Sequence, residues 1–290
     1  MIVPAGTGAT ADLVARIIGD RMSQGLGQPW VVEARPGASG LIGTQFVAKA
    51  PPDGHTLLVF SNTFIMMPSL IDKIPIDIFK DIAPVGLIVS APNVLVVHPD
   101  LQVKSLAEFF SLARQKPQGI DYGSPATGSA AHLTMELLKQ RANVPMNHVP
   151  FRGPQQAMLE TLAGRVPATI SGVSNSIPHI HAGTLVPLAI ADTRRSPLLP
   201  EVPTFEELGI AGMNLPLWFG MFTTGGTPAA AVERLNRQLN LALESPDVVE
   251  KLTKAGFDPV GGTPQQFMHI MQRERPIYGK LISDLGLKAQ

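Results

Sequence analysis

Two stretches of this chain collect the residue types that hold anions: IVPAGTGATADLVAR at 2–16 and DYGSPATGSAAHLTM at 121–135. Each passes from a β-type apolar run through a loop of glycine and hydroxyl residues into a segment with helical spacing. A loop of that kind gathers unpaired backbone N–H groups at the positive end of a helix dipole, which favours a negative charge. Hydrogen bonds to a charged group contribute about 1.5–3 kcal/mol each. Several converging donors therefore suffice to hold a carboxylate without any arginine. Two such loops, one in each half of the chain and facing one another, would make a cleft.

Other chemistries compete for the same residues. Gly6, Gly8 and Ala11 spell G-x-G-x-x-A directly after a strand, and Glu33 ends the next strand, where an acid that grips a ribose would stand. Against a dinucleotide, Asp12 falls in the first helical turn, where its carboxylate would repel a pyrophosphate. A tight turn that needs small residues is the plainer alternative. Asp12 itself suits the helix dipole and can accept N–H bonds from its own loop, fixing the loop's shape.

Ser124, Ser129 and His132 raise the question of a nucleophile and its base, but the stretch lacks the G-x-S-x-G elbow. Ser129 and His132 are an i, i+3 helical pair, which reads as a histidine at the edge of a cleft capping local polar groups. His179 and His181 have strand-like same-side spacing without a neighbouring carboxylate to complete a metal site, and read as turn residues. Phe151 and Arg152 precede a helix, where Arg152 either meets an acidic ligand or is solvated. Trp218 and Phe219 open a strand: core packing is the default, a wall of the cleft the functional option. No paired carboxylates suited to acid–base work and no Walker-type loop occur. The sequence offers binding features and little chemistry.

The elements that must position these loops alternate. DLVARIIGDRMSQGLG is an amphipathic helix closed by Gly25 and Gly27, WVVE is β-rich, PGASG is a turn, and LIGTQFVAKA resumes a helix. HTLLVFSN is a strand, and VGLIVSAPNVLVVHP holds two more around Ala91-Pro92. A second unit of the same style starts near Ser105, with helices SLAEFFSLARQK, TGSAAHLTMELLKQRAN and PQQAMLETLAGR. Between and after them run the strands GIDYGSP, NHVPFRG, VPATISGVS and LVPLAIAD. LWFGMFTT is a further strand, and PAAAVERLNRQLNLALES, PDVVEKLTKAG and PQQFMHIMQRERPIYGKLISDLG are closing helices. Alternating strands and helices predict an α/β fold with mostly parallel sheets.

Composition narrows the classes further. With 290 residues the chain can form one large domain or two lobes, and 23 basic against 23 acidic residues give neither a nucleic-acid footprint nor a polybasic anchor. Cysteine is absent, which excludes thiol chemistry and Cys-ligated metals. Apolar residues make up 44% of the chain, yet no uninterrupted run approaches the roughly 20 residues of a membrane span. Met1 leads straight into IVPAG without a basic or apolar leader segment, which taken literally implies the cytoplasm.

Taken in order, these stretches resemble the substrate-binding proteins of tripartite tricarboxylate transporters, the Bug-type periplasmic receptors, over nearly the whole chain. The resemblance is carried by IVPAGTGATADLVAR, with an aspartate eight residues after Pro4, and by GQPWVVEARPGASGLIGTQFVAKAPPDGHTLL. It continues through YGSPATGSAAHLTMELL and HVPFRGPQQAMLETLAGRV to Arg194, Arg195 and PLLPEVPTFEELG. It implies a type II periplasmic-binding-protein-like flytrap with two lobes and a ligand cleft between them, without enzymatic activity or cofactor. Lobe one would be 1–97 with 219–290 and lobe two 98–218, joined by VLVVHP and LWFGMFTT.

It further implies that a small organic acid is pinned by backbone N–H groups and hydroxyls. In lobe one these would come from Gly6, Thr7, Gly8, Ala9 and Thr10 with Asp12; in lobe two from Ser124, Thr127, Gly128, Ser129 and His132. Ser61 and Asn62, Phe151, Arg152 and Gly153, Ser171 and Ser174, and Trp218 would line the rest. Glu33 then becomes an ordinary strand-end residue. The implied partners are the permease subunits of a secondary transporter, or a sensor kinase, with the receptor a monomer. Export to the periplasm is also implied, the leader having been removed or truncated from this chain. The departures are Gly8-Ala9 for a glycine pair, Ala11 for a hydroxyl, Phe151 for a tyrosine and His55 for another, which change the details of carboxylate contact. The alternative function is an α/β enzyme using Gly6-Thr7-Gly8 for a dinucleotide.

Overall fold

A computed structural model describes residues 1–288 of the chain. Two compact units emerge, Met1–Ser90 with Trp218–Gln290, and Ala91–Leu217. In chain order the first stretch runs β1 (Ile2–Val3), α1 (Thr10–Leu26), β2 (Glu33–Ala34), α2 (Leu41–Ala48), β3 (Leu57–Ser61), α3 (Thr63–Leu70) and β4 (Ile82–Ala91). The second unit holds β5 (Asn93–Val97), α4 (Leu106–Gln115), β6 (Ile120–Ser124), α5 (Ala130–Ala142), β7 (Met146–Pro150), α6 (Pro154–Leu162), β8 (Ala168–Gly172), α7 (Val173–His181) and β9 (Val186–Ala191). The chain then returns to the first unit through β10 (Leu217–Thr224), α8 (Ala229–Leu243), α9 (Pro246–Lys254), β11 (Asp258–Pro259) and α10 (Pro264–Asp284).

The first unit's sheet has the order β11-β4-β10-β3-β1-β2. β1 pairs in parallel with β2 and β3, while β10 runs antiparallel to β3 and β11 antiparallel to β4. β3 reads LLVFS without alternation because its first four residues are buried. α1 turns Val14, Ala15, Ile18 and Met22 inward and ends at Gly27, whose φ of 65° lets its N–H return to the Ser23 carbonyl. α10 starts in a reciprocal cap between Thr263 and Gln266 and lays Phe267 over β10. Glycine is required opposite it: a Cβ on Gly220 would lie 2.0 Å from the Phe267 ring. Trp218, Phe222 and Phe64 complete that aromatic core, with Phe64 and Phe222 centred 4.4 Å apart.

A polar seam runs through the same core. The Trp218 indole N–H donates to Glu274 Oε2 at 2.7 Å, and Arg273 reaches the other carboxylate oxygen at 3.1 Å. Asn62 donates from its amide side chain to the Tyr278 hydroxyl at 3.2 Å and from its backbone to the Trp218 carbonyl at 3.2 Å. Buried polar groups of this kind persist only when paired.

The second unit's sheet has the order β7-β6-β8-β5-β9, with β6 parallel to β7 and β8, and β5 antiparallel to β8 and β9. Val94, Val96, Ile190 and Met158 form part of its apolar core. Ser105 caps α4 by accepting the Glu108 N–H at 3.2 Å.

Several expectations change. Both sheets are mixed rather than mostly parallel, because β10, β11 and β5 each run against a neighbour. The WVVE run contributes only Glu33 to a two-residue strand. α3 was not anticipated: its sequence TFIMMPSL is apolar on nearly every side, so no period marks it. His179 and His181 sit in the last turn of α7, a helix that continues through Pro178, not in a strand or turn. The unit boundary precedes β5 instead of following it, because Asn93–Val97 is zipped between β8 and β9, and Trp218 packs in the first unit.

Replacing Trp218 with Phe keeps the ring but removes one donor to the buried Glu274 carboxylate. It is expected to cost about 1–3 kcal/mol of stability in urea unfolding. An unchanged midpoint would show that the remaining partners satisfy that carboxylate alone.

Candidate functional site

The first unit's loop, Gly6–Ala9, joins β1 to α1. It folds as a turn in which the Ala9 N–H donates to the Gly6 carbonyl at 3.1 Å. Gly8 adopts φ 82°, a left-handed conformation natural to glycine, and its N–H donates to Asp12 Oδ2 at 3.0 Å. Asp12 is 2% exposed. Arg16 clamps it from one helical turn on, Nε to Oδ2 and Nη2 to Oδ1, both at 3.0 Å. The Arg16 hydrogen bonds hold the Asp12 carboxyl below the usual carboxylate range; burial opposes them, and the Gly8 N–H adds to the lowering.

Asp12 thus carries a charge already compensated inside the helix, and it shapes the loop in the way its position in the first turn suggests. Ala9 supplies no side-chain cap. Gly6, Thr7, Gly8 and Thr10 are exposed while Ala11 and Asp12 are buried, and no side chain caps the first N–H groups of α1. In the same unit, Ser61 is half-buried and shares a 3.1 Å hydrogen bond with Thr63. Asn62 is buried in the polar seam, and Trp218 lies in the core at 1% exposure with its N–H engaged; both are framework residues here.

The second unit repeats the design between β6 and α5. Gly128, at φ 76°, donates its N–H to His132 Nδ1 at 3.0 Å, and the Ser129 N–H donates to the Ala126 carbonyl at 3.2 Å. Ser129 caps α5: its hydroxyl donates to the Ala126 carbonyl at 2.8 Å and accepts the His132 N–H at 3.2 Å. Ser124 is fully buried and donates to the same Ala126 carbonyl at 3.0 Å, while His148 Nε2 approaches its oxygen at 2.6 Å. Ser124 Oγ thus lies between the Ala126 carbonyl and His148 Nε2, and when its proton goes to the carbonyl Nε2 is the donor. Thr127 stands exposed at the tip.

The β7–α6 loop docks on this one, with Phe151 N–H to the Ser124 carbonyl and Gly153 N–H to the Pro125 carbonyl, each 2.9 Å. Arg152 between them has its N–H held by Gln156 at 2.9 Å, and its side chain is exposed and makes no ion pair among the described residues. Ser171 at the end of β8 and Ser174 at the start of α7 are half-buried.

Three residues escaped the reading of the loops. Arg16 and Glu136 each lie four positions beyond a loop-holding residue, a spacing that marks helical neighbours. His148 carries no local signal, because strand register brings it to the site by pairing it with Tyr122. Among the described residues no group of three His, Cys, Asp or Glu is arranged to hold a metal ion, and Glu33 is tied to Arg35 at 2.7 Å.

Gly8→Ala tests the first loop cleanly, since an added Cβ would meet nothing within 4 Å and only the backbone conformation resists it. About 1–2 kcal/mol of destabilisation is expected from the left-handed φ. Equal stability of the two proteins in chemical unfolding would show that the loop relaxes freely.

Residues 14–287 match the family model of the tripartite tricarboxylate transporter family receptor. A protein from the tcbD–tcbE intergenic region of Pseudomonas sp. strain P51 is 38% identical over 99% of this chain and 86% of its own length. Among solved structures, R. palustris Rpa4515 with adipate is 34% identical with a TM-score of 0.78, over 99% of this chain and 97% of that one. The periplasmic binding protein BugD is 28% identical with a TM-score of 0.76, over 100% and 98%. Two Gly-rich loops, each leading into a helix start, agree with that kinship. The chain belongs to the tripartite tricarboxylate transporter receptor family and is a solute receptor, not an enzyme.

Proposed function

We propose that this receptor captures a small organic acid through its carboxylate at the Gly6–Thr10 loop and the Ser124–Ser129 loop. Delivery would be to the permease subunits of a secondary transporter. The observation that carries the reading is the start of α1, whose first N–H groups no side chain caps, behind an exposed loop whose own acid, Asp12, is already neutralised by Arg16. A carboxylate arriving there meets the helix dipole without meeting a net negative charge. The adipate held by a relative 34% identical to this chain supports the ligand class.

In this reading Thr7, Thr10 and Thr127 supply hydroxyls, and Ser129 shapes the second loop through its bonds to Ala126 and His132. Ser61, Ser171 and Ser174 lie at the margins, and Arg152 offers a counter-charge for a second acidic group. The receptor works as a periplasmic monomer, and capture shifts it between conformations that the permease tells apart. A sensor kinase is the alternative partner for the same signal.

A thermal-shift screen of mono-, di- and tricarboxylates, with NAD and NADP as controls, tests the proposal. An acid present at about a hundred times its dissociation constant should add about 2.7 kcal/mol of stability. The expected result is a shift with at least one acid, weakened by Ser129→Ala, and none with either dinucleotide. A shift with a dinucleotide alone would refute it.

A further inference from the structure

The two loops are latched in the same way by different chemistry. In each, a left-handed glycine donates its N–H to a side chain four residues later: Gly8 to Asp12 at 3.0 Å, Gly128 to His132 Nδ1 at 3.0 Å. In each, a residue of opposite character follows after four more, Arg16 in one helix and Glu136 in the other. Asp12 remains an acceptor through mild acid, because Arg16 keeps its carboxyl ionised. An imidazole nitrogen accepts only while it lacks a proton; protonated, His132 Nδ1 would face the Gly128 N–H donor to donor.

His132 is not alone. His148, from β7, stacks on it with ring centres 3.7 Å apart and 19° between planes. Through Nε2 His148 also reaches Ser124, so the stacked rings bind both ends of the loop. The titratable and charged groups facing them are Tyr122 from β6, and Glu136 and Lys139 from α5. Tyr122 donates to Glu136 Oε1 at 2.7 Å, and Lys139 lies 3.4 Å from Glu136 Oε2. Burial lowers both imidazoles, His148 to about 4 with His132 adding to its fall, while Glu136 opposes the shift.

We propose that the stacked His132–His148 pair is a proton-operated latch on the second ligand loop, with His148 the positioning residue that holds His132 and Ser124 in register. Neutral, the pair keeps the Gly128 and Ser129 end of the loop shaped for a carboxylate. A proton on His132 Nδ1 breaks the Gly128 bond and opens the loop. The ligand half of this inference rests on the receptor reading above, whereas the latch belongs to the ligand-free protein. Both imidazoles are lowered on folding, so the unfolded chain takes up protons first. The stability the pair contributes is complete above the ordinary histidine value of 6.5 and is lost as pH falls toward about 4.

The test is an NMR titration of the ligand-free protein from about pH 8 to pH 4, following the Gly8 and Gly128 amides and the imidazole carbons. The Gly128 amide should shift and lose at least about tenfold of its exchange protection in step with the imidazoles, while Gly8 stays constant. The double variant His132→Asp with Glu136→Arg copies the first loop and should abolish the Gly128 response. If it fails to fold, Asp12→His should transplant the response to Gly8. A Gly128 amide indifferent to titrating imidazoles would overturn the latch.

Adipate calorimetry at about pH 7.5 and 4.5 separates the two claims, since protonation of adipate itself weakens wild type and variant alike. A drop at least about tenfold larger for wild type than for the double variant supports coupling of the latch to the ligand, and an equal drop contradicts it. Absence of adipate binding at both pH values would count against the ligand reading, with the latch still decided by the Gly128 amide.

Discussion

The structure depends on keeping backbone N–H groups unpaired but fixed. A helix start that binds an anion needs donors left over from its own capping, yet a loop of glycine and hydroxyl residues has no reason to hold one shape. The hydrogen bond from a left-handed glycine to a side chain in the first helical turn resolves this conflict. It takes up one loop donor; the start of α1 is left without a side-chain cap, whereas Ser129 also caps α5 by accepting the His132 N–H.

That solution imposes conditions on everything beneath it. Asp12 is usable as the acceptor only because Arg16 balances a carboxylate that would otherwise offset the dipole needed for the ligand. His132 is usable only while burial, with Lys139 adding to the lowering, keeps it neutral. The sheets supply the rigidity: β6 sets Tyr122 and Ser124, β7 brings His148 alongside, and the polar seam of Trp218, Glu274, Asn62 and Tyr278 fixes the corner after β3. Differences in acceptor chemistry give two loops of one shape different responses to acid.

Much of this was legible in the sequence, for identifiable reasons. The loops, their helices and the stop at Gly27 follow from periodicity and from residues that adopt unusual backbone angles. The family resemblance rested on ordered motifs along most of the chain, and the match over residues 14–287 agrees with it. Strand direction was not legible, since β10 returns from a distant part of the sequence to run against β3. α3 was hidden because burial on all sides erases amphipathic period. The i, i+4 partnership of Asp12 with Arg16 was open to reading, whereas the placement of His148 beside His132 depends on parallel register between two strands.

The central claim is that a carboxylate is held by backbone donors at helix starts, and a crystal structure of the adipate complex tests it most directly. The account predicts carboxylate oxygens about 3 Å from N–H groups of the Gly6–Thr10 or Ser124–Ser129 loops. An acid bound away from both loops, or held by arginine side chains alone, would contradict it.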